Sequence, residues 1–114
     1  MEYYSAWLVF IVLVDDGRPR KTHTYDDSIV VFRARDYDHA LERALELGRS
    51  QETEYTNPYG QKVRWALVEV VKLQRIGRRV EGQEVSSLLD RRRSRQPIPY
   101  GRPFHPERSK PIRS

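Results

Sequence analysis

The sequence contains no cysteine among its 114 residues. Neither a disulfide bond nor a zinc site with thiolate ligands can therefore support the fold, although small domains often depend on one of them. This absence fits a reducing compartment, so we expect a cytoplasmic protein. A folded part of about 85 to 90 residues buries only about 60–65% of the surface that its unfolded chain exposes, and such a small core gains from association with a partner.

Long apolar runs are also missing. The longest covers residues 6–14, which is about half of the ~20 residues that a membrane-spanning helix needs. It follows Met1, Glu2, Tyr3 and Tyr4, where a signal peptide would carry basic residues. The sequence therefore predicts neither a signal peptide nor a transmembrane segment, and no membrane partner is expected.

Residues arranged for catalysis are absent as well. His23, His39 and His105 fall in three separate segments, and no Ser-His-Asp or Cys-His arrangement accompanies them. The segment 15–17, Asp-Asp-Gly, has one glycine and lacks the strand-to-helix context of a phosphate-binding loop. We expect a protein that is not an enzyme and that holds no cofactor.

Two carboxylate pairs flank the first loop. Asp15 and Asp16 precede the first loop, and Asp26 and Asp27 follow it. If the loop closes as a hairpin, the four side chains would form an oxygen site for a divalent cation. Loop solvation and turn formation explain the same residues, and no metal site is predicted.

Two segments have the composition of buried strands. Residues 3–14 and 27–35 are rich in β-branched and aromatic side chains, which are consecutive rather than alternating with polar ones. Both faces of the first strand are therefore apolar. Such a strand is central in a sheet covered on both sides, or it is partly exposed at a protein–protein surface. The polar residues 18–24 predict a loop or a frayed hairpin arm.

One long helix follows the second strand. Asp36 is placed to cap it, and Ala40, Ala44 and Gly48 recur at every fourth position. This stripe of small residues predicts a helix that lies close against a sheet.

A hairpin completes the pattern. Residues 53–56 and 61–73 flank Asn57-Pro58-Tyr59-Gly60, a sequence typical of a β-turn. The order β-β-α-β-β over residues 1–89 predicts an α+β domain with a four-stranded, mostly antiparallel sheet and one helix on one face.

One helix of about 20 Å covers one face of such a sheet, so the second face needs another cover. Either Val85, Leu88 and Leu89 fold back over it as a helical turn, or a second copy of the sheet does. We expect a homo-oligomer, most simply a dimer, that associates through the open face or an edge. The candidate interaction surface comprises residues of the first strand and of the hairpin: Trp7, Val9, Ile11, Tyr55, Tyr59, Arg64 and Trp65. Cross-strand stabilisation of the sheet is the alternative role of the hairpin residues.

Charge is unevenly distributed along the chain. Residues 1–89 hold 13 Lys/Arg and 14 Asp/Glu, whereas residues 90–114 hold 8 Lys/Arg and 2 Asp/Glu. The basic segment is also rich in proline, which predicts an extended or disordered tail. Its candidate contacts with phosphates or nucleic acid are Arg91, Arg92, Arg93, Arg95 and Arg102. A solvated tail and an arm ordered on a partner chain are the alternatives.

Several spaced positions together resemble a known family. They are Trp7, Asp27-Ser28-Ile29-Val30, Ala34, Ala40, Ala44, Tyr55-x-Asn57-x-x-Gly60, Val63-x-Trp65-x-x-Val68 and Gly82-x-Glu84-Val85-Ser86. Over about residues 4–89 the chain is similar to the bacterial domain-of-unknown-function family DUF4288, whose small ββαββ proteins have no assigned activity. The resemblance implies the fold and brings no chemistry, and the basic extension departs from it.

These observations favour a non-enzymatic interaction domain that self-associates through its sheet and binds a protein partner of unknown identity, as an accessory or immunity-like component. A small nucleic-acid-associated protein that binds phosphates through the basic tail is the alternative. An enzyme that uses the aspartate pairs with a metal is the weakest hypothesis.

Overall fold

The computed structural model describes residues 1–79 and 87–114, with side chains described for all of these except residues 87–90. Within them, six strands form one sheet in the order β3-β4-β1-β2-β5, with β6 beside β4. The elements are β1 (Glu2–Val14), β2 (Arg20–Ala34), α1 (Tyr37–Ser50), β3 (Thr53–Thr56), β4 (Lys62–Gly77), β5 (Ser87–Ile98) and β6 (Ile112–Arg113). Only the β4–β6 pair is parallel among these strands. The predicted α+β class and mostly antiparallel sheet are confirmed, whereas the predicted count of four strands was too low.

Strand β1 lies at the centre of the sheet because both of its faces are apolar. It pairs with β2 on one side and with β4 on the other. Tyr4, Ala6, Leu8 and Phe10 are buried on the face that α1 covers, and Ile11 is buried on the opposite face. The sequence was compatible with a central strand and with a strand partly exposed at a protein–protein surface. The structure has the central strand.

Strand β2 is longer than predicted and begins at Arg20. The segment that was predicted as a loop or frayed arm pairs with β1, where Thr24 lies opposite Val12, and also with β5, where Thr22 lies opposite Arg93. Backbone hydrogen bonds from strands on both sides order residues whose side chains would not by themselves predict a strand.

Helix α1 begins where the sequence places its cap. Oδ1 of Asp36 accepts a hydrogen bond from the backbone N–H of His39 at 2.8 Å, which satisfies one of the free amides of the first turn. Ala40, Ala44 and Gly48 are buried against the sheet. The predicted cap and the predicted stripe of small residues are both confirmed.

The hairpin of β3 and β4 also forms as predicted. Oδ1 of Asn57 accepts hydrogen bonds from the backbone N–H groups of Tyr59 and Gln61, each at 3.0 Å. Gly60 has a φ of 79°, a left-handed conformation that glycine adopts without steric cost. The side chain of Asn57 therefore fixes the turn that joins the two strands.

The basic segment of the chain is part of the fold. Residues 91–98 lie in β5, which pairs with β2, so the boundary proposed at residues 89–90 falls inside a strand. Ile98, Tyr100 and Phe104 then pack against the face of the sheet that α1 leaves uncovered. We call residues 98–104 the strap.

The strap changes the expected cover of the second face. Ser87–Leu89 are strand residues of β5 rather than a helical turn, whereas Gly82, Glu84, Val85 and Ser86 lie outside the described residues. Residues 87–89 form a strand instead of a helical turn because the edge of β2 has unpaired backbone groups that they can bond.

The outer edge of β4 is closed by several short elements. β3 pairs with Lys62–Trp65 and β6 pairs with Lys72 and Leu73. Between them, the backbone N–H of Leu67 donates to Oε2 of Glu52 and that of Val70 donates to Oγ of Ser109, each at 3.0 Å. Side chains thus occupy the edge where β3 and β6 do not reach.

Candidate interaction surface

Among residues 1–79 and 87–114, the strap covers one half of the second face of the sheet and leaves the other half open. Near the β1–β2 turn, Ile11, Leu13 and Ala66 are buried under Ile98 of the strap. Further along β1, register places Tyr3, Ser5 and Trp7 opposite Arg33, Val31 and Ile29 of β2. We call Tyr3, Ser5, Trp7, Ile29 and Val31 the open half-face.

Trp7 lies at the end of the open half-face that borders the buried Val9, and it is 39% exposed; its neighbour Ile29 is 36% exposed. The indole Nε1 of Trp7 donates to Oδ1 of Asp27 at 2.9 Å. This hydrogen bond fixes the orientation of the ring while a large part of the ring remains accessible. A tryptophan is therefore presented at the surface in one conformation.

Asp27 is itself held in place by β5. Arg92 forms an ion pair with the carboxylate of Asp27, and its guanidinium lies 5.1 Å from the ring centroid of Tyr25. Burial raises the pKa of the Tyr25 phenol, and the charge of Arg92 acts in the opposite direction. Arg92, Asp27 and Trp7 thus form a continuous polar chain from the edge strand to the centre of the sheet.

Charged side chains of both signs flank the open half-face. Arg33 lies over the ring of Tyr3, with its guanidinium carbon 5.7 Å from the centroid. On β4, Lys72 is opposite Trp7 and Glu69 is opposite Val9. The apolar centre therefore has a polar rim, as protein–protein interfaces usually do.

The structure separates the seven residues of the predicted interaction surface. Val9 and Ile11 are buried, and Trp65 packs into the core on the α1 side. Tyr55 and Tyr59 are exposed at the hairpin. Only Trp7 belongs to the open half-face.

Arg64, the remaining member of that group, anchors the strap. Its Nη1 donates to the carbonyl oxygens of Tyr100 at 3.0 Å and of Arg102 at 2.8 Å. The guanidinium also lies 5.6 Å from the ring centroid of Phe104. The hydroxyl of Tyr100 donates to Oε2 of Glu54 at 2.9 Å, and burial together with this hydrogen bond raises the pKa of Tyr100 to about 12.

The five arginines predicted as anion contacts fall into two groups. Arg92 points toward Asp27, as described above, whereas Arg91, Arg93, Arg95 and Arg102 are exposed. The first three of these exposed arginines lie on β5, and Arg102 lies on the strap.

The aspartate pairs of the first loop do not meet. Asp15 and Asp16 follow the end of β1, whereas Asp26 and Asp27 lie opposite Phe10 and Val9, about four residues or ~14 Å further along the strand. Asp16 forms an ion pair with Arg20, whose hydrogen bond lowers the pKa of that carboxyl. Among the described residues, no group of three or more His, Cys, Asp or Glu side chains is arranged to hold a metal ion.

The histidines are also separate from one another. Nε2 of His23 is 2.7 Å from the carbonyl oxygen of Arg20 in β2, and Nδ1 of His39 accepts from the backbone N–H of Arg35. His105 lies beside Glu107. Each has a local structural partner.

Comparison with known families identifies residues 3–87, about three quarters of the chain, as a match to the family described as Domain of unknown function (DUF4288). The chain belongs to this family. The DUF4288 match ends where β5 begins, so most of β5 and the whole strap lie beyond the matched region. Comparisons with curated proteins and with solved structures give no significant match. In the parts of the chain that the structure describes, no helix has the length and apolar character needed to cross a membrane.

The sequence analysis predicted only Trp7 as part of this surface and missed Tyr3, Ser5, Ile29 and Val31, together with Asp27, which orients the indole. Asp27 and Ile29 reach Trp7 only through the register of β1 and β2, which is set by pairing between residues about twenty positions apart. Ile29 stands in an apolar run that predicts core packing, and Asp27 stands at the predicted start of a strand. No local signal in the sequence marks either residue as part of a surface.

Proposed function

We propose that this chain is a non-enzymatic interaction domain that self-associates by packing the open half-faces of two copies together. The observation that carries this proposal is the exposed indole of Trp7, oriented by Asp27 at the centre of a sheet face. Tryptophan is enriched at the energetic centres of interfaces, and a side chain that is already ordered loses little conformational entropy on binding. A bacterial, cytoplasmic accessory role is part of the same proposal.

The open half-face suits a second copy better than the sheet edges do. The outer edge of β4 is occupied by β3, β6, Glu52 and Ser109. The outer edge of β5 carries exposed arginines, and two such edges would repel each other. The rim of the open half-face carries both charge signs, so two copies can face each other without net repulsion.

The size of the open half-face sets the expected affinity. It spans five residues of β1, from Tyr3 to Trp7, and the adjacent part of β2, or roughly 17 Å by 10 Å. This footprint of about 170 Å² is well below the roughly 800 Å² per partner of a standard interface, even when the charged residues of the rim are added. We therefore expect a weak dimer that populates at high micromolar concentration.

Sedimentation equilibrium from about 10 μM to about 1 mM tests this proposal, because weak interfaces dissociate in the lower part of that range. Trp7→Gln and Ile29→Lys should each abolish the dimer while leaving the circular dichroism spectrum unchanged. Tyr59→Gln is the matched control, since it removes an aromatic ring that is 87% exposed at a turn outside the open half-face.

Three outcomes would contradict the proposal. A chain that stays monomeric across the whole concentration range has no self-association to explain. A dimer that survives both Trp7→Gln and Ile29→Lys uses another surface. A dimer that Tyr59→Gln also disrupts does not depend specifically on the open half-face.

A further inference from the structure

Strands β2 and β5 place hydroxyl and guanidinium groups together on the face opposite to the open half-face. Thr22 lies opposite Arg93, and Thr24 lies opposite Arg91. Alternation along β2 puts Thr22 and Thr24 on the same side as Val30 and Phe32, which pack under α1. Thr22 and both arginines are exposed and Thr24 is half-buried, so α1 does not cover this corner of the sheet.

Arginines continue along β5 at every second position. Arg91, Arg93 and Arg95 are exposed. Arg91 and Arg93 lie about 6.8 Å apart on one side of the strand, and Arg95 follows where the pairing of β5 with β2 becomes irregular. Within the described residues, none of their guanidinium groups takes part in a hydrogen bond or an ion pair. The nearest acidic residue along this face of β2, Asp26, is buried and accepts a hydrogen bond from Ser28.

The β1–β2 turn adds a concave wall beside this row. A cavity of about 480 Å³ is lined by Arg18 of the turn, by Thr22 and Thr24 of β2, and by Arg91 of β5. Asp15 and Asp16 also line this cavity, and the carboxylate of Asp16 is paired with Arg20. The hydroxyl of Ser94 donates to the carbonyl oxygen of Lys21 at 3.0 Å, which ties β5 to the strand that leaves the turn. Cations that are about seventy residues apart in the sequence therefore share one surface.

We propose that Thr22, Thr24, Arg91, Arg93 and Arg95 form a surface, the polyanion surface, that binds the phosphodiester backbone of nucleic acid without reading its sequence. Guanidinium and hydroxyl groups are the donors that proteins direct at phosphate oxygens. Several donors along one strand suit a repeating anion.

An acidic peptide added as an extra strand fits β5 less well. Pro97 has no N–H to donate, and the pairing of β5 with β2 is irregular between Arg93 and Ile98. The outer edge of β5 is therefore a poor template for a regular strand, whereas phosphate contacts require side chains alone. The polyanion surface does not include Trp7, so its test is independent of the proposed self-association.

Fluorescence anisotropy with labelled single-stranded DNA and RNA and with duplex DNA of about 20 nucleotides tests the proposal. Affinity should fall steeply between about 50 mM and about 200 mM salt, because each phosphate contact releases counterions. Replacing all three arginines (Arg91→Gln, Arg93→Gln, Arg95→Gln) should reduce the slope of log K against log salt by about 2 for single strands or about 2.7 for duplex. The affinity at low salt should fall at least tenfold.

The matched control removes the same charge at the other end of the sheet. Arg35, Arg78 and Arg79 are exposed and lie beyond the β1–β2 pair Glu2 and Ala34 and the β1–β4 pair Tyr3 and Gly77. Their triple replacement by glutamine should leave the salt slope within about 0.5 of the unmodified protein, because only contacted phosphates set the slope.

Several results would overturn the proposal. They are no binding at low salt, binding that does not change with salt, and equal losses in the β5 variant and in the control variant. Binding of polyglutamate at least as tight as binding of DNA would assign the surface to acidic proteins instead. Trp7→Gln should leave nucleic-acid affinity unchanged, so failure of the proposed dimer and failure of this surface are distinguishable.

Discussion

Removing the basic segment should destabilise the whole domain, because that segment supplies structure as well as charge. A chain that ends at residue 89 lacks most of β5 and all of the strap. The edge of β2 from Arg20 to Tyr25 would lose its partner strand, and the apolar side chains of Ile11, Leu13 and Ala66 would lose the cover that Ile98 provides.

The magnitude follows from the burial of these side chains. Ile98 is 7% exposed, and Ile11 and Leu13 are 0% and 1% exposed. Full burial of a large aliphatic side chain contributes about 1.5–3 kcal/mol, so loss of the cover over these three side chains costs about 4.5–9 kcal/mol as an upper bound. A domain of this size has a free energy of unfolding of about 5–15 kcal/mol. Truncation should therefore remove a large part of the free energy of unfolding.

Urea denaturation followed by circular dichroism measures the effect. The truncated chain should unfold at a much lower urea concentration or fail to show a cooperative transition. Ile98→Ala is a smaller perturbation of the same contacts. It should lower the free energy of unfolding by about 2–3 kcal/mol, the lower part of the range for buried aliphatic residues. A truncated chain whose free energy of unfolding lies within about 1 kcal/mol of that of the full chain would refute this reasoning. If truncation abolishes nucleic-acid binding, the loss can be assigned to the missing arginines only when the truncated chain is shown to be folded.

Two further predictions concern the strap and the helix. Because the pKa of Tyr100 is raised to about 12, the stability that it contributes is complete below the pKa of an unfolded tyrosine, about 10, and is lost as the pH rises from there toward 12. Urea midpoints should fall between about pH 10 and about pH 12, and Tyr100→Phe should reduce that fall; an unchanged fall would contradict the prediction. At Gly48, an added Cβ would lie 2.7 Å from Cδ2 of the buried Leu67, so overpacking of about 1–3 kcal/mol outweighs the helix-propensity gain of about 1 kcal/mol. Gly48→Ala should thus destabilise the protein by about 1 kcal/mol, and in a Leu67→Val background the same substitution should become stabilising; the same sign in both backgrounds would contradict it.

Local signals in the sequence were sufficient for part of the fold. The Asp36 cap, the stripe from Ala40 to Gly48 and the Asn57 turn depend on residues a few positions apart, and the sequence predicts all three correctly. The chain of contacts from Arg92 through Asp27 to Trp7 depends on the register of three strands, which no local pattern specifies. Arg92 and Trp7 were consequently assigned to two unrelated sites.

The basic segment was difficult to predict for a different reason. Its arginines and prolines disfavour strand formation by composition, and the strand forms because β2 offers a long edge for pairing. The strap then covers apolar side chains that sequence reasoning assigned to a second copy of the protein. Tertiary pairing thus overrides the local preference of residues 90–98.

The alternation of side chains along β5 explains how one strand supports two different surfaces. Arg92 points to one side, where it holds Asp27 and thereby orients Trp7. Arg91 and Arg93 point to the other side, opposite the two threonines. Because the DUF4288 match ends at residue 87, both surfaces depend on a strand that lies almost entirely beyond it. A relative without β5 would lack the guanidinium that orients the tryptophan and the strap that covers Ile11, so its whole second face would be open. We expect such a relative to self-associate over a larger area and more tightly than this chain, while binding nucleic acid weakly.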